Sequence, residues 1–388
     1  MSVKLVNVVL AFSIANFFCS AHAELINPNA TIQTKQLYQN LQGLEGKVLF
    51  GHEDSLAYGN DWWGTKQAPL YSDIKGLTGS YPAVFGADIG GIGLGNDKNL
   101  DGVSFNDYRH YIQSTFQMGG VNTISWHMYS PVDGHNSWSK NSYVSSVIPG
   151  GKDHQKLKGY LDSFIAFNET LKVDKDNKQI WIPIVFRPWH EHNGDWFWWG
   201  KGHTTEQEYK ALWKFTVEYL IDKKQNNLIF AFSPDRSRLD LADFKTSYLY
   251  GYAGDQYVDL LGMDNYWDLG HGSNKLSSVL QQAQFIESLE KLTDLASKKR
   301  KVSALTEGGQ EGVKEPNFWS ERFVAGLLHS EKTRRLSYAL VWRNNFSGNG
   351  KQGHFFASYP GQGNDDDFIK MSVNADIIMS DSLPHLYK

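Results

Sequence analysis

Residues 180–199 read IWIPIVFRPWHEHNGDWFWW, and the break in the middle of that stretch decides the fold. Ile180 to Phe186 is a near-continuous apolar run without the alternation of a strand that faces water on one side. Such runs belong to strands of a parallel sheet covered on both faces. The run ends abruptly at Arg187, and polar and aromatic residues then crowd together: Trp189, His190, Glu191 and His192. A buried strand that delivers a reactive cluster at its carboxyl end is the repeating unit of a (β/α)₈ barrel, whose active site is assembled from strand ends.

Seven more runs of this type follow the same rule: Lys47–Phe50, Ala83–Phe85, Val121–Ser125, Leu228–Phe232, Val258–Met263, Val302–Leu305 and Leu336–Val341. Helical periodicity fills most of the gaps. It is clearest from Thr205 to Ile221, where Thr205 and Glu208 have capping-box spacing and Tyr209, Leu212, Trp213, Thr216 and Leu220 fall on one face. Asp162–Leu171 and Leu276–Leu295 read as helices too. Eight strands alternating with helices predict an α/β chain with a single (β/α)₈ TIM barrel over residues 24–388. No Pro- or Ser-rich tether and no internal repeat interrupts it. Tyr129 to Asp153 is too long for a simple turn and, following the third strand, is expected to rise over the barrel mouth.

Ahead of the barrel, residues 1–23 carry Lys4, an apolar run from Leu5 to Phe18, and Ala21-His22-Ala23 before Glu24. That is the pattern of a secretory signal peptide cleaved after Ala23. The run is shorter than the roughly 20 residues that span a bilayer, so the expected product is secreted, extracellular or periplasmic, with no membrane association after cleavage. The sole cysteine, Cys19, would leave with the leader. A mature chain without disulfides must rely on one large core, and its length permits one. Lys and Arg number 38 against 42 Asp and Glu, with no dense basic stripe, which argues against a nucleic-acid partner. A monomer is expected. The 13 Trp, 19 Tyr and 22 Phe often stand beside Gly, Asn, Asp and His instead of in apolar runs. Exposed aromatic faces of that kind suit flat, neutral ligands such as sugar rings.

The residues just after each run are heavily polar: His52, Glu53 and Asp54; Asp88; Trp126 and His127; Arg187 to His192; Ser233, Asp235 and Arg236; Asp264 to Trp267; Thr306 and Glu307; Trp342 to Asn345. Cleaving a glycosidic bond requires one carboxylic acid to protonate the leaving oxygen and a second carboxylate across the sugar ring. Glu191 after strand four and Glu307 after strand seven can face each other over a barrel mouth. Trp189, Trp196, Trp198 and Trp199 surround Glu191, and an apolar surround raises a carboxyl pKa, which suits the acid role. Gly308 and Gly309 after Glu307 let the backbone turn sharply beside a ligand. Of the Trp-rich run, some residues must be core; Trp196, nearest the acid, is the expected sugar platform.

Several segments carry a resemblance in chain order: Phe50-Gly-His-Glu-Asp54, Val121 to Pro131, Arg187 to Trp199, Ser233-Pro-Asp235, Met263-Asp-Asn-Tyr266, Leu305-Thr-Glu307-Gly-Gly and Trp342-Arg343-Asn344. Together they resemble glycoside hydrolase family 26, and the likeness spans most of the mature chain. It implies a retaining β-1,4-mannanase that acts on mannan, glucomannan or galactomannan, with Glu191 as acid/base and Glu307 as nucleophile. It further implies that His127, His190, Trp196, Asp264, Tyr266, Trp342 and Arg343 contribute to the sugar subsites, with Tyr266 hydrogen-bonded to the nucleophile. A minority of the family cleave mixed-linkage β-glucan or xylan, and His192 to Asp195 varies among members.

Other readings compete. A non-catalytic carbohydrate-binding barrel would use the same aromatic mouth but needs neither glutamate. A metal-dependent hydrolase could draw on His52, His127, His190 and Asp264, yet His190-Glu-His192 lacks HExxH spacing, so no metal and no cofactor is expected. Arg187 and Glu191 could be a structural ion pair. Asp365-Asp366-Asp367 suits the loop before a helix N-terminus. Of the sequons at Asn29, Asn168 and Asn345, the last lies at the predicted mouth and is expected to be unused.

Overall fold

The computed structural model describes residues 24–44, 46–64, 70–346 and 354–388; the segment read as a signal peptide, with Cys19, lies outside the described residues. Eight parallel strands close into a barrel: β1 (Val48–Glu53), β2 (Val84–Asp88), β3 (Val121–Ser125), β4 (Ile184–Arg187), β5 (Leu228–Phe232), β6 (Leu260–Asn265), β7 (Val302–Gly308) and β8 (Tyr338–Val341). Their order around the ring is their order in the chain, and pairing of Leu49–His52 with Tyr338–Val341 joins β8 to β1. A short extra strand, Ile377–Ile378, pairs with Val48 and Leu49 at the lower end of β1.

Every residue of the eight strands is buried, as the unalternating runs require. Successive side chains nevertheless point to opposite faces, and the core divides accordingly. Leu49, Val84, Val121, Val185, Ile229, Leu260, Val302 and Leu340 pack together as one cluster inside the barrel. Phe50, Phe85, Ile124, Phe186, Phe230, Leu261, Leu305 and Val341 pack in a second cluster that includes helix residues. The inner apolar layer fills the lower barrel, so the polar residues at the strand ends stand on a packed floor.

The helix Glu206–Asp222 opens with the expected capping box, Thr205 and Glu208 each closing on the other's backbone. The helix read over Leu276–Leu295 runs Ser278–Lys299, entered through the Ser277 cap. Two boundaries differ more. The helix read as Asp162–Leu171 spans His154–Asn168, burying Leu157, Leu161, Phe164 and Phe167. The run Ile180–Phe186 is two elements: Lys178–Trp181 forms a hairpin with Lys172–Lys175, and the barrel strand begins at Ile184. Pro183 separates them, having no backbone N–H for a ladder.

The segment Tyr129–Asp153 is not free-standing. It contains a helical turn, Val144–Val147, and the backbone N–H of Trp198 donates to Ser137 O at 3.0 Å. Asp365–Ser372 is a helix whose first turn is the acidic run, and Asp367 accepts from the backbone N–H groups of Trp319 and Ser320. Asn168 is fully buried and hydrogen-bonded to Gln225 and Asn227, so that sequon is closed to modification in the folded chain. Among the described residues no helix is long and apolar enough to cross a membrane.

Candidate active site

Above the apolar floor lies a buried charge cluster organised by Arg187, the last residue of β4. Its Nη1 donates to Asp264 Oδ2 at 2.8 Å and to Ser233 Oγ at 3.2 Å, and its Nη2 donates to Glu307. Burial works against the guanidinium charge, but Asp264 and Glu307 outweigh it and hold the Arg187 pKa above its ordinary value. Asp264 is itself completely buried and accepts from Thr306 Oγ1 at 2.7 Å. Its pKa is raised by burial even though Arg187 pulls the other way.

A β-bulge sets the position of Glu307. Met263 pairs with Leu305 and Asp264 with Glu307, so Thr306 is the extra residue on β7. The extra residue re-aims the strand end: Thr306 serves Asp264, while Glu307 reaches the cleft. Tyr266, just beyond β6, donates its hydroxyl to Glu307 Oε2 at 2.8 Å. Glu307 is thus held by a cation through one oxygen and a phenol through the other.

Glu191 is presented by a tight excursion after β4. Trp189 and Glu191 have left-handed backbone, with φ of 56° and 53°, a region that side chains other than glycine occupy at some energetic cost. The conformation is fixed by the bond from Glu191 N to Ser233 O, 2.8 Å. The Trp196 indole N–H donates to Glu191 Oε2 at 2.6 Å. Burial, then the charges of Asp235, Asp264 and Glu307, push the Glu191 pKa well above the carboxylate range, opposed by the Trp196 bond. One carboxylate oxygen from each of Glu191, Asp264 and Glu307 lies within 4.8 Å of the others.

Glu191 and Glu307 open into a cleft of about 540 Å³ also lined by Asp88, Asp101, His127, Trp138, Trp196, Phe197, Tyr266, Trp342 and Arg343. His127 Nδ1 lies 2.8 Å from Asp88 Oδ2. Burial disfavours the His127 charge, but Asp88 reverses the balance and raises the pKa; Asp88 is correspondingly lowered, His127 overcoming its burial. Trp138 stacks on His127 with centroids 5.2 Å apart.

Of the residues expected to bind substrate, His127, Trp196, Tyr266, Trp342 and Arg343 line the cleft with the two glutamates, whereas His190 and Asp264 do not. Asp264 lies beneath, tied to Arg187. His190 is buried edge-on between His127 and Phe197, and burial, Arg187 and His127 lower its pKa well below the imidazole value, leaving it neutral. The Arg187–Glu191 pair weighed from sequence is replaced by Arg187 with Glu307 and Asp264. Trp198 and Trp199 are core, bonding through their indoles to Met128 O and His190 O.

Trp138 and Asp101 are among the cleft residues that escaped the sequence reading. Trp138 sits within the long third loop, and Asp101 pairs with Arg343 at 3.2 Å. Neither stands at a strand end, so strand-end logic could not find them. As for metal, the only close group of ligating side chains among the described residues is Glu191, Asp264 and Glu307, and Arg187 already supplies the cation to two of these. The histidines at 52, 127 and 190 join no such group.

Two glutamates this close across an aromatic cleft are equipment for glycosidic-bond cleavage, and the chain falls in the class of glycoside hydrolases. Sequence comparison narrows the class: residues 26–315 match glycosyl hydrolase family 26, and the chain belongs to that family. β8 with Trp342 and Arg343 lies beyond the matched residues. A mannan endo-1,4-beta-mannosidase of Bifidobacterium adolescentis is 32% identical over 359 residues, covering 88% of this chain and 34% of the relative. The chain thus spans about a third of that relative's length. A mannan endo-1,4-beta-mannosidase of Bacillus subtilis is 29% identical, covering 83% of this chain and 82% of its own length. Among solved structures, a GH26 beta-mannanase from Bacteroides ovatus superposes with a TM-score of 0.82 at 38% identity, covering 92% of this chain and 98% of that one.

Proposed function

We propose that the protein is a secreted, monomeric endo-β-1,4-mannanase that cleaves mannan, glucomannan or galactomannan with retention of configuration. The observation that carries the mechanism is that one carboxylate oxygen of Glu191 lies within 4.8 Å of one of Glu307, which puts the two groups at close range across the cleft. Retaining enzymes hold their carboxyl groups roughly 5–5.5 Å apart, and inverting enzymes need about 6.5–9.5 Å to admit a water. The choice of mannan is supported by the relatives and by family membership.

Glu307 attacks the anomeric carbon while Glu191, kept protonated by its surroundings, gives its proton to the departing oxygen. The C–O bond to the leaving sugar breaks as the bond to the Glu307 oxygen forms. Glu191, now a carboxylate, takes a proton from water, which displaces Glu307 and releases the sugar with its configuration restored. Arg187 and Tyr266 hold the Glu307 carboxylate by one oxygen each and aim it. His127, Trp196, Trp342 and Arg343 hold the sugars that flank the bond; His190 and Asp264 act through their neighbours as positioning residues.

The test is Glu307→Ala assayed on mannan with and without azide. Loss of nearly all turnover, with rescue as a glycosyl azide of inverted configuration, supports the assignment; ordinary activity without azide rejects it. Parallel assays on lichenan and xylan decide the polysaccharide, since activity confined to either would remove mannan while leaving the two-glutamate chemistry. The product pattern from mannohexaose reads the mode of attack.

A further inference from the structure

At the β1–β8 side of the cleft, a small hairpin pairs Tyr58–Gly59 with Trp62–Trp63, and its two tryptophans do different things. Trp62 donates its indole N–H to Asp73 Oδ1 at 2.7 Å, and Asp73 also receives the Asn60 N–H. The hairpin is therefore pinned without Trp63. Trp63 points the other way, stacks on Tyr58 at 5.3 Å and 18°, and meets the edge of Phe346 at 5.8 Å. It remains 43% exposed and Phe346 39%. An aromatic pair left open to water where the fold has no need of it marks a contact surface.

The surface adjoins the cleft through the side chains beneath it. Tyr58, under Trp63, gives its hydroxyl to Asp54 and Asp101 at 2.7 and 3.2 Å. Arg343 lies over the same Tyr58 ring and pairs with Asp101, and both Asp101 and Arg343 line the cleft. So held, Arg343 brings a guanidinium to the cleft wall beside Trp63's stacking partner. A sugar chain suits both groups, with a C–H face for the indole and hydroxyl oxygens for the guanidinium.

We propose that Trp63, backed by Tyr58 and Phe346, is a stacking platform for a β-1,4-linked mannosyl residue remote from the scissile bond, reached across Arg343. The platform rests on the mannanase reading for the identity of the sugar. It makes the enzyme favour long chains over short ones, because only a long chain spans both the two glutamates and Trp63.

The test measures binding of mannotriose and mannohexaose to the full-length Glu191→Gln protein, with and without Trp63→Ala, by calorimetry. The preference for mannohexaose over mannotriose should fall about tenfold on losing the indole, the scale of one well-made aromatic contact, and Trp63→Phe should recover most of it. Equal weakening of both ligands, or no change in the ratio, overturns the platform. Turnover of mannan by the Trp63→Ala enzyme with its hexaose preference intact rejects the platform alone. Failure of Glu191→Gln to bind either oligosaccharide, with no cleavage of mannan by the unmutated enzyme, rejects the mannan reading and the platform with it.

Discussion

Arg187 spans the barrel mouth to bond Glu307, 120 residues further along the chain, and its remaining bonds go to Asp264 and Ser233. One buried cation thus answers for two buried carboxylates. Replacing it by methionine leaves both without a compensating positive charge, each keeping only a hydroxyl donor, which is expected to lower kcat on the order of a hundredfold and to destabilise the fold by about 3 kcal/mol. Urea unfolding and steady-state kinetics read the two effects separately. Arg187→Lys keeps the charge but not the planar fork, so its kcat should lie between the two.

Tyr266→Phe removes a single hydroxyl from Glu307 Oε2. The bond orients the carboxylate without touching the rest of the ligand, so kcat should fall about tenfold with KM little altered. A change confined to KM would place Tyr266 in sugar binding alone.

Trp196→Phe separates the acid from its indole donor. Glu191 must be protonated to work, and its raised pKa means that activity persists above the ordinary carboxyl range and is lost as pH rises through the raised value. The Trp196 bond favours the ionised form and lowers that pKa. Without it the alkaline limb of the kcat profile should move to higher pH while the plateau drops. A limb that moves down would show that the bond acts in the opposite sense.

Asp88→Asn tests the His127 pair in the cleft wall. The folded pKa of His127 is raised, so its contribution to stability is complete below about 6.5 and is lost as pH rises through the folded value. Asp88 is lowered, so its contribution is present above about 3.9 and is lost as pH falls through the folded value. The difference in unfolding free energy between the two proteins should therefore be greatest between those limits, about 2 kcal/mol, and shrink at pH 9. Differential scanning calorimetry across pH provides the comparison.

Much of the barrel was legible because strands covered on both faces leave unbroken apolar runs, and eight such runs mark all eight strands. What failed was punctuation. Pro183 hides inside an apolar run, and Asp264, Asn265, Glu307 and Gly308 look like loop but continue the ladders. Glu191 and Glu307 were visible because chemistry puts them at strand ends. The partner of Arg187 was not, since the bulge at Thr306 that turns Glu307 toward it depends on register between two strands. Asp264 and His190 were expected among the subsite residues through the family resemblance, and a resemblance of motifs does not say whether a side chain faces the cleft or underlies it. Trp138 and Asp101 come from connections, whose path over the mouth is set by contacts made far along the chain, Trp138 with Phe197 and Asp101 with Arg343.

The left-handed backbone of Glu191 has a price in durability. A carboxylate-bearing residue is held where glycine would sit comfortably, in a pocket that resists its ionisation, so the fold gives up stability at the position the reaction needs. Glu191→Gly should accordingly resist heat better than Glu191→Ala despite the greater freedom of glycine when unfolded, and both should match or exceed the unmutated enzyme. Efforts to harden this enzyme against heat are best spent away from the turn that carries Glu191, because whatever relaxes that turn also disarms it.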